Sequence, residues 1–182
     1  SDVDNTNLAG ATVAITSGYA TGQDVLSFVT AGAISGTFNA GTLTLTGSAT
    51  VADYNSALRA VKFANNSENP TAGARTIQFT VSDGATTSNA LSRTLNVAAG
   101  NDAPVLASLE ATGITYNENA GEVALSATIA ASDVDNTNLA GATVAITSGY
   151  VSGQDVLSFV TAGSISGTFI AGTLTLTGSA TV

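Results

Sequence analysis

The stretch SDVDNTNLAGATVAITSG forms residues 1–18 and recurs unchanged as residues 132–149. Within it, Val13 and Ile15 alternate with small residues, which is the period-2 pattern of a half-buried β-strand. The likeness extends beyond this stretch, because the 51 residues from Ser132 to Val182 match residues 1–51 at 47 positions, at an offset of 131. Near-identical copies predict a tandem array of β-rich modules rather than a lone catalytic domain.

Other alternating runs predict further strands. Leu43 and Leu45 alternate with threonines, and residues 76–82 place Ile, Phe and Val on one face in the clearest strand pattern of the chain. The dipeptide Asp83-Gly84 that follows is typical of a turn. Arg93 has the same parity as the apolar residues of its own run, so we expect a β-bulge there, or pairing only from Thr94 onward.

One short stretch has a helical pattern. Asp53 is a suitable N-cap for residues 53–59, and Tyr54 and Leu58 lie on one face at a spacing of four. A segment this short needs packing on a sheet to persist.

The strand pattern stops at residues 100–104, where Pro104 removes a backbone donor, so we expect a linker there. This gives a module at 1–100 that lacks its N-terminal strands and a module at 101–182 that lacks its C-terminal strands. In the second, Val123, Leu125, Ala127 and Ile129 predict one more strand. The fold class expected from these patterns is all-β, a seven-strand antiparallel β-sandwich in tandem modules, with one short helix per module.

The amino-acid composition excludes several kinds of catalytic, metal and binding site. The chain has no Cys and no His, which excludes disulfides, thiolate metal sites and a Ser-His-Asp relay within these residues. It has 13 acidic and only four basic residues, for a formal charge of −9, so we expect no nucleic-acid partner. No apolar run approaches the roughly 18 residues of a membrane span, so none is expected in this segment.

Five features mark a module in a fixed order. NDAP at 101–104, YNENAG at 116–121 and ASDVDN at 131–136 come first, and the first module supplies the rest, which are FTVSDG at 79–84 and a final strand that leads to an NDAP-type linker. Together they resemble the cadherin-like tandem repeats of giant bacterial surface adhesins of the RTX and biofilm type. The resemblance covers essentially the whole chain. It implies a cadherin/Ig-like sandwich, an extracellular or cell-surface location, a role in adhesion, and calcium bound where consecutive modules meet.

A calcium site also has a physical basis in the sequence. Calcium takes about six to eight oxygen ligands, mainly carboxylates and carbonyls. Asp133 and Asp135 are two residues apart on a loop and can turn their carboxylates towards one ion, while Asn136 offers a neutral oxygen. The alternative is a solvated acidic turn that only supports solubility.

The resemblance adds further candidate ligands. It assigns Asn101 and Asp102 to the site of Asp133 and Asp135, and it assigns Asp2, Asp4 and Asp83 to the matching face of the first module. Glu118 corresponds to the glutamate of a family motif, and Glu68 is a candidate by position only. For Asp83 the alternative is a turn residue, and for Glu68 an exposed loop residue.

The sequence departs from the family pattern in the linker. Where the family linker reads DxNDN, Ala99 stands at the first, acidic position and Ala103 at the last position, so we expect fewer or more weakly bound ions.

The expected function is a calcium-stiffened stalk or spacer of a secreted bacterial surface adhesin or extracellular filament, and not an enzyme. Its expected partners are neighbouring repeats of the same chain, head-to-tail copies in a filament, or other cell-surface molecules. One alternative is a binding module for cell–cell or glycan contact. Another is a fibre subunit assembled head-to-tail by strand complementation. We interpret the 182 residues as a window on a longer array.

Overall fold

A computed structural model describes residues 6–182, so the predicted ligands Asp2 and Asp4 lie outside the described residues. The chain divides into two compact units, Ser1–Gly100 and Asn101–Val182, at the boundary expected from the linker.

Within residues 6–100, the described part of the first unit, there are seven strands in two antiparallel sheets, together with one helix. In chain order these are β1 (Asn7–Ser17), β2 (Asp24–Ser27), β3 (Ser35–Asn39), β4 (Thr42–Thr50), α1 (Val51–Ala60), β5 (Lys62–Asn65), β6 (Gly73–Ser82) and β7 (Leu91–Val97). The larger sheet has the order β3-β4-β1-β6-β7, and β2 pairs with β5 in the smaller one. The fold is an all-β antiparallel sandwich with one short helix, as the alternation predicts.

The core lies where the inward residues of both sheets meet α1. Val13 and Leu45 of the larger sheet have no exposed surface, and Leu26 of the smaller sheet is 2% exposed. Tyr54 on α1 is also fully buried, and its hydroxyl donates to the carbonyl oxygen of Gly47 at 2.6 Å. That bond satisfies the one polar atom of an otherwise apolar side chain.

The helix begins earlier than predicted, and the expectation that Asp53 is its N-cap is wrong. The cap is Thr50, whose hydroxyl accepts a hydrogen bond from the backbone N–H of Asp53 at 3.1 Å. Asp53 occupies the third helical position, and its carboxylate accepts from the Thr50 hydroxyl at 2.7 Å. The Thr50 hydroxyl thus accepts from the Asp53 backbone and donates to the Asp53 side chain, so both residues favour a helix start here. Tyr54 and Leu58 share the inward face as expected.

No bulge forms at Arg93. Strands β6 and β7 pair in continuous register, with Ile77 opposite Arg93 and Phe79 opposite Leu91. β7 is the last strand of its sheet, and Leu91 at its start is 67% exposed. An arginine at the margin of a core can lay its stem on apolar surface and keep its charge in water, so the strand needs no irregularity.

The second unit repeats part of this arrangement. Its strands are β8 (Val105–Ala107), β9 (Ala130–Ser132), β10 (Asn138–Ala145), β11 (Ser166–Ile170) and β12 (Thr173–Thr181). β8 pairs with β9, and β10, β12 and β11 form a second antiparallel sheet. The register of β10 on β12 reproduces that of β1 on β4, including the irregularity between Leu139 and Gly141 that corresponds to the one between Leu8 and Gly10. Nearly identical sequence therefore gives the same local pairing twice.

The strand predicted from Val123 to Ile129 does not form. This segment has no strand assignment, and Val123, Leu125 and Ile129 are 41%, 55% and 50% exposed. Alternation predicts a strand only where a neighbouring strand pairs with it, and the first paired residue here is Ala130 in β9.

Within residues 6–182 the single helix is α1, in the first unit. The helix expected in the second unit is not tested by these residues, because Val182 corresponds to Val51, the first residue of α1. No helix in the described part of the chain is long and apolar enough to cross a membrane.

Candidate functional site

The loop that follows β9 carries the predicted metal ligands. Oδ1 of Asp133 accepts hydrogen bonds from the backbone N–H groups of Asp135 at 2.9 Å and Asn136 at 2.8 Å, and from Nδ2 of Asn136 at 3.3 Å. The backbone N–H of Asn136, more than any other group, holds the pKa of Asp133 below its ordinary value. This carboxylate therefore organises its own loop and stays ionised at neutral pH.

The same loop binds the first two residues of the second unit. The backbone N–H of Asp102 donates to Oδ2 of Asp135, and Nδ2 of Asn136 donates to Oδ1 of Asn101 at 3.1 Å. Nδ2 of Asn101 donates in turn to the carbonyl oxygen of Asp102 at 2.7 Å. The structure thus brings together five of the sequence-predicted residues, here called the loop cluster: Asn101, Asp102, Asp133, Asp135 and Asn136.

One oxygen of the loop cluster lacks a partner. Oδ1 of Asp135 is shielded from solvent and, among the described residues, accepts no hydrogen bond. A buried carboxylate oxygen without a donor is costly, and a bound cation is one group that would satisfy it. The loop cluster therefore presents a negative oxygen that is oriented but unsatisfied.

The donor set limits the kind of ion. No group of three or more acidic side chains converges anywhere in residues 6–182. A cation at Asp135 would therefore depend largely on neutral amide and backbone oxygens, together with water. Such a set suits a hard cation such as calcium, with an affinity lower than an acid-rich site would give.

Asp83 has the turn role that was its alternative interpretation. Its Oδ1 accepts from the backbone N–H groups of Ala85 at 2.8 Å and Thr86 at 2.7 Å, immediately after β6. The bond from Thr86 is the main reason that the pKa of Asp83 lies below its ordinary value. Its assignment as a ligand together with Asp2 and Asp4 stays a prediction, since those two residues are outside the described part.

The two predicted glutamates lie in exposed loops. Glu118 is in a turn closed by a hydrogen bond from the N–H of Ala120 to the carbonyl oxygen of Asn117 at 3.0 Å, and Glu68 is in the loop between β5 and β6. Among the described residues, none of the hydrogen bonds that hold the loop cluster involves Glu118. Their assignment as ligands stays a prediction.

The sequence interpretation missed a buried ion pair in the first unit. Nε of Arg75 donates to Oδ2 of Asp24 at 2.7 Å, and the two side chains are 2% and 0% exposed. Oδ2 also accepts from the backbone N–H of Ala20 at 2.7 Å, and Oδ1 accepts from Nδ2 of Asn65 at 2.8 Å. The pair joins β6 of the larger sheet to β2 of the smaller one.

The electrostatics of Asp24 follow from these contacts. Burial alone would raise the pKa of Asp24, but hydrogen bonds from Arg75, Ala20 and Asn65 outweigh it and lower the pKa below its ordinary value. A signal for this pair existed in the sequence. Arg75 has the inward parity of Ile77 and Phe79, and a buried arginine requires an acid.

Glu110 was also missed, and it holds the segment where the predicted strand fails to form. Its Oε1 accepts from the backbone N–H of Ala127 at 2.8 Å, and its Oε2 accepts from the hydroxyl of Ser126. These two bonds, that of Ser126 first, lower the pKa of Glu110 to about 2. The side chain of Glu110 thus binds residues 126 and 127, which have no neighbouring strand among the described residues.

The two tyrosines that follow Ser-Gly pack over turn glycines. The rings of Tyr19 and Tyr150 lie so close to Gly41 and Gly172 that an added Cβ would meet ring atoms at 3.1 Å and 3.0 Å. The ring of Tyr150 also meets that of Phe169 edge-on, with centroids 6.3 Å apart. These contacts give both rings a packing role.

Comparison with protein-family models, with curated proteins and with solved structures finds no match to this chain.

Proposed function

We propose that this chain is part of a structural tandem-repeat array, a calcium-stiffened stalk or spacer of a secreted bacterial surface adhesin or extracellular filament. Two observations support this. The two copies match at 47 of 51 positions, and their strands pair in the same register. A spacer requires many equivalent modules, because each added module increases the distance that the array spans. Its partners in this proposal are neighbouring repeats, with adhesion to other cell-surface molecules carried elsewhere.

The unsatisfied Oδ1 of Asp135 carries the calcium part of the proposal. It lies in a loop cluster whose other groups are already oriented by hydrogen bonds, so binding would cost little rearrangement. Asp133, Asp135 and the side-chain oxygen of Asn101 are the groups of the loop cluster that would hold the ion. A bound calcium would neutralise the two carboxylates and tie Asn101 and Asp102 to the loop by coordination.

The consequence for a stalk is mechanical. Asn101 and Asp102 begin the second unit, and fixing them to that unit's own loop removes freely rotating backbone bonds from the start of the module. Each ordered residue would otherwise keep about 1–2 kcal/mol of conformational entropy at 25 °C. Repeated along an array, such fixation would make the whole filament stiffer.

Calcium titration of the full chain tests the ion directly. Thermal unfolding in calcium and in chelator should give different midpoints, with about 2.7 kcal/mol of added stability at a calcium concentration 100 times the dissociation constant. Asp135→Asn should abolish most of the difference. Glu122→Gln, which removes an equal charge outside the loop cluster, is the matched control and should keep it.

A readout of the site itself complements the stability measurement. In two-dimensional NMR the amide signals of Asp102 and Asn136 should shift on adding calcium, and those of β6 should not. Equal midpoints with and without chelator, together with unchanged spectra, would end the claim that the ion is structural. Stretching of single molecules would test the mechanical role of the ion, because the force needed to unfold the second unit should be higher in calcium than in chelator.

A further inference from the structure

Strand β3 is the first strand of the larger sheet in the first unit, and its counterpart β11 has the same place beside β12 in the second unit. Their sequences are SGTFN and SGTFI. Among the described residues β3 pairs only with β4, and β11 pairs only with β12. The open sides of β3 and β11 are called the hairpin edges below, because each strand belongs to a β-hairpin.

The hairpin edges stay open to every segment of the repeat. Residues 52–100 share a unit with β3, and none of their strands pairs with it. Residues 101–131 share a unit with β11, and none of their strands pairs with it either. These two segments supply all the repeat positions outside the copied 51 residues, so the open edge is a property of the repeat itself.

The backbone groups that face outwards at β3 can be identified. The turn at residues 40–41 has φ angles of 45° and 83°, as in a two-residue type I′ turn. Asn39 and Thr42 on either side of it form a hydrogen-bonded pair, and such pairs alternate along an antiparallel ladder. Gly36 and Phe38 therefore direct their N–H and C=O groups away from β4, where the described residues offer them no partner.

The chain around the hairpin edges carries no charge. Residues 25–52 contain no Asp, Glu, Lys or Arg, and the same holds for residues 156–182. The chain as a whole has a formal charge of −9. Charged side chains, Pro and bulges are common protection against unwanted edge pairing, and the hairpin edges have none of the three.

Exposed apolar side chains accompany both edges. Phe28 packs against β3, where a Cβ added at Gly36 would meet its ring at 3.1 Å, and the next residue, Val29, is 84% exposed. Its counterpart Val160 is 83% exposed, and Ile170 at the end of β11 is 70% exposed. The same combination of open backbone and exposed apolar surface thus occurs in both copies.

We propose that two copies of this chain associate side by side by antiparallel pairing of one hairpin edge with another. A two-fold axis at Thr37 would place this residue opposite Thr37 of the second copy and pair Gly36 with Phe38. The outward-facing groups of one copy then meet their complements in the other. Two threonines directly opposite each other are a favourable cross-strand pair.

The occupant is a second copy because the edge is complementary to itself. Two chains that each carry a charge of −9 repel, so they approach most easily where neither surface is charged. Because the edge recurs with the repeat, weak single contacts add up between two arrays. The inference depends neither on calcium nor on the spacer function.

Sedimentation velocity of the full 182-residue chain, from micromolar to millimolar concentration, tests the association. We expect the average mass to rise with concentration. Hydrogen exchange followed by NMR over the same range locates the contact. The amides of Gly36 and Phe38, with those of Gly167 and Phe169 in β11, should exchange more slowly as the chains associate. The amide of Thr37 already faces β4 and should change less.

Lysine at the centre of each edge should oppose pairing. The double variant Thr37→Lys/Thr168→Lys puts like charges directly opposite each other and should weaken association about fivefold or more. Both threonines are exposed, so the fold should persist, which circular dichroism verifies. The matched control is Thr44→Lys/Thr175→Lys, at exposed threonines one strand away from each edge, and it should associate much like the parent chain.

Three results would overturn the proposal. The first is a mass that stays constant up to millimolar concentration. The second is undiminished association of the Thr37→Lys/Thr168→Lys variant, which would put the contact on another surface. The third is slow exchange of Gly36 that persists on dilution, because another segment of the same chain would then cover the edge. The exchange measurement on the parent chain decides the matter even where a variant fails to fold.

Discussion

Arg75 and Asp24 are 51 positions apart in the chain, and their side chains meet at 2.7 Å with almost no exposure to solvent. The pair crosses the sandwich from β6 to β2. The guanidinium also donates through Nη2 to the carbonyl oxygen of Thr71 at 2.7 Å. A buried charge with several partners makes the structure sensitive to the loss of any one of them.

Arg75→Met should destabilise the first unit by about 3–5 kcal/mol, because it leaves the carboxylate of Asp24 buried without its counter-charge. Urea denaturation followed by circular dichroism gives the change, and NMR amide signals assign it to the first unit. Arg93→Met, at the exposed arginine of β7, is the matched control and should change the free energy of unfolding by about 0.5 kcal/mol or less. Equal effects of the two substitutions would contradict a structural role for the ion pair.

The lowered pKa of Asp24 predicts an acid sensitivity. A carboxyl whose pKa is lower folded than unfolded contributes stability above its unfolded pKa, about 3.9, and loses it as pH falls through the folded pKa. The free energy of unfolding should therefore decline below about pH 4. In Asp24→Asn the chain is less stable from the outset, and its slope over this range should be smaller. Identical slopes would show that Asp24 does not titrate with folding.

The alternation of the first unit predicted its strands well because each run there pairs with at least one neighbouring strand. Val13 and Ile15, read as inward-facing from the sequence, are 0% and 8% exposed. The pattern at Val123 and Leu125 is as regular, but its backbone has no strand neighbour among the described residues, so the same reading failed. Sequence alternation reports which face could be buried, and pairing decides whether it is.

The loop cluster and the Asp24–Arg75 ion pair differ in how well the sequence predicts them. The spacing of Asp133 and Asp135 is a local feature of the sequence, and the family resemblance placed Asn101 and Asp102 beside them. The structure brings these four residues together. The pairing of Asp24 with Arg75 depends on how two sheets stack, which no local pattern encodes. Only the inward parity of Arg75 indicated that a partner was needed.

Thr50→Ala should destabilise the first unit by about 1 kcal/mol, since the hydroxyl that accepts from the N–H of Asp53 at 3.1 Å is lost from the start of α1. Thr181 is the same residue in the second copy, where it ends β12, and it is exposed. Thr181→Ala should therefore change stability by less than about 0.5 kcal/mol. Urea denaturation of both variants compares the two directly. Equal losses would mean that strand pairing at this position, rather than the helix cap, is what the hydroxyl supports.

Glu110 should titrate far below an ordinary glutamate, at a pKa of about 2, because the hydroxyl of Ser126 and the N–H of Ala127 donate to its carboxylate. A lowered pKa means that these bonds support the second unit fully above the unfolded value, and that the support fades as pH falls towards about 2. Carbon-13 NMR of the side-chain carboxyl measures the pKa. Ser126→Ala removes the main donor and should raise the pKa towards its ordinary value, while Ser152→Ala, in an exposed turn of the same unit, should leave it in place. An ordinary value in the parent chain would mean that Glu110 does not hold residues 126 and 127 in solution.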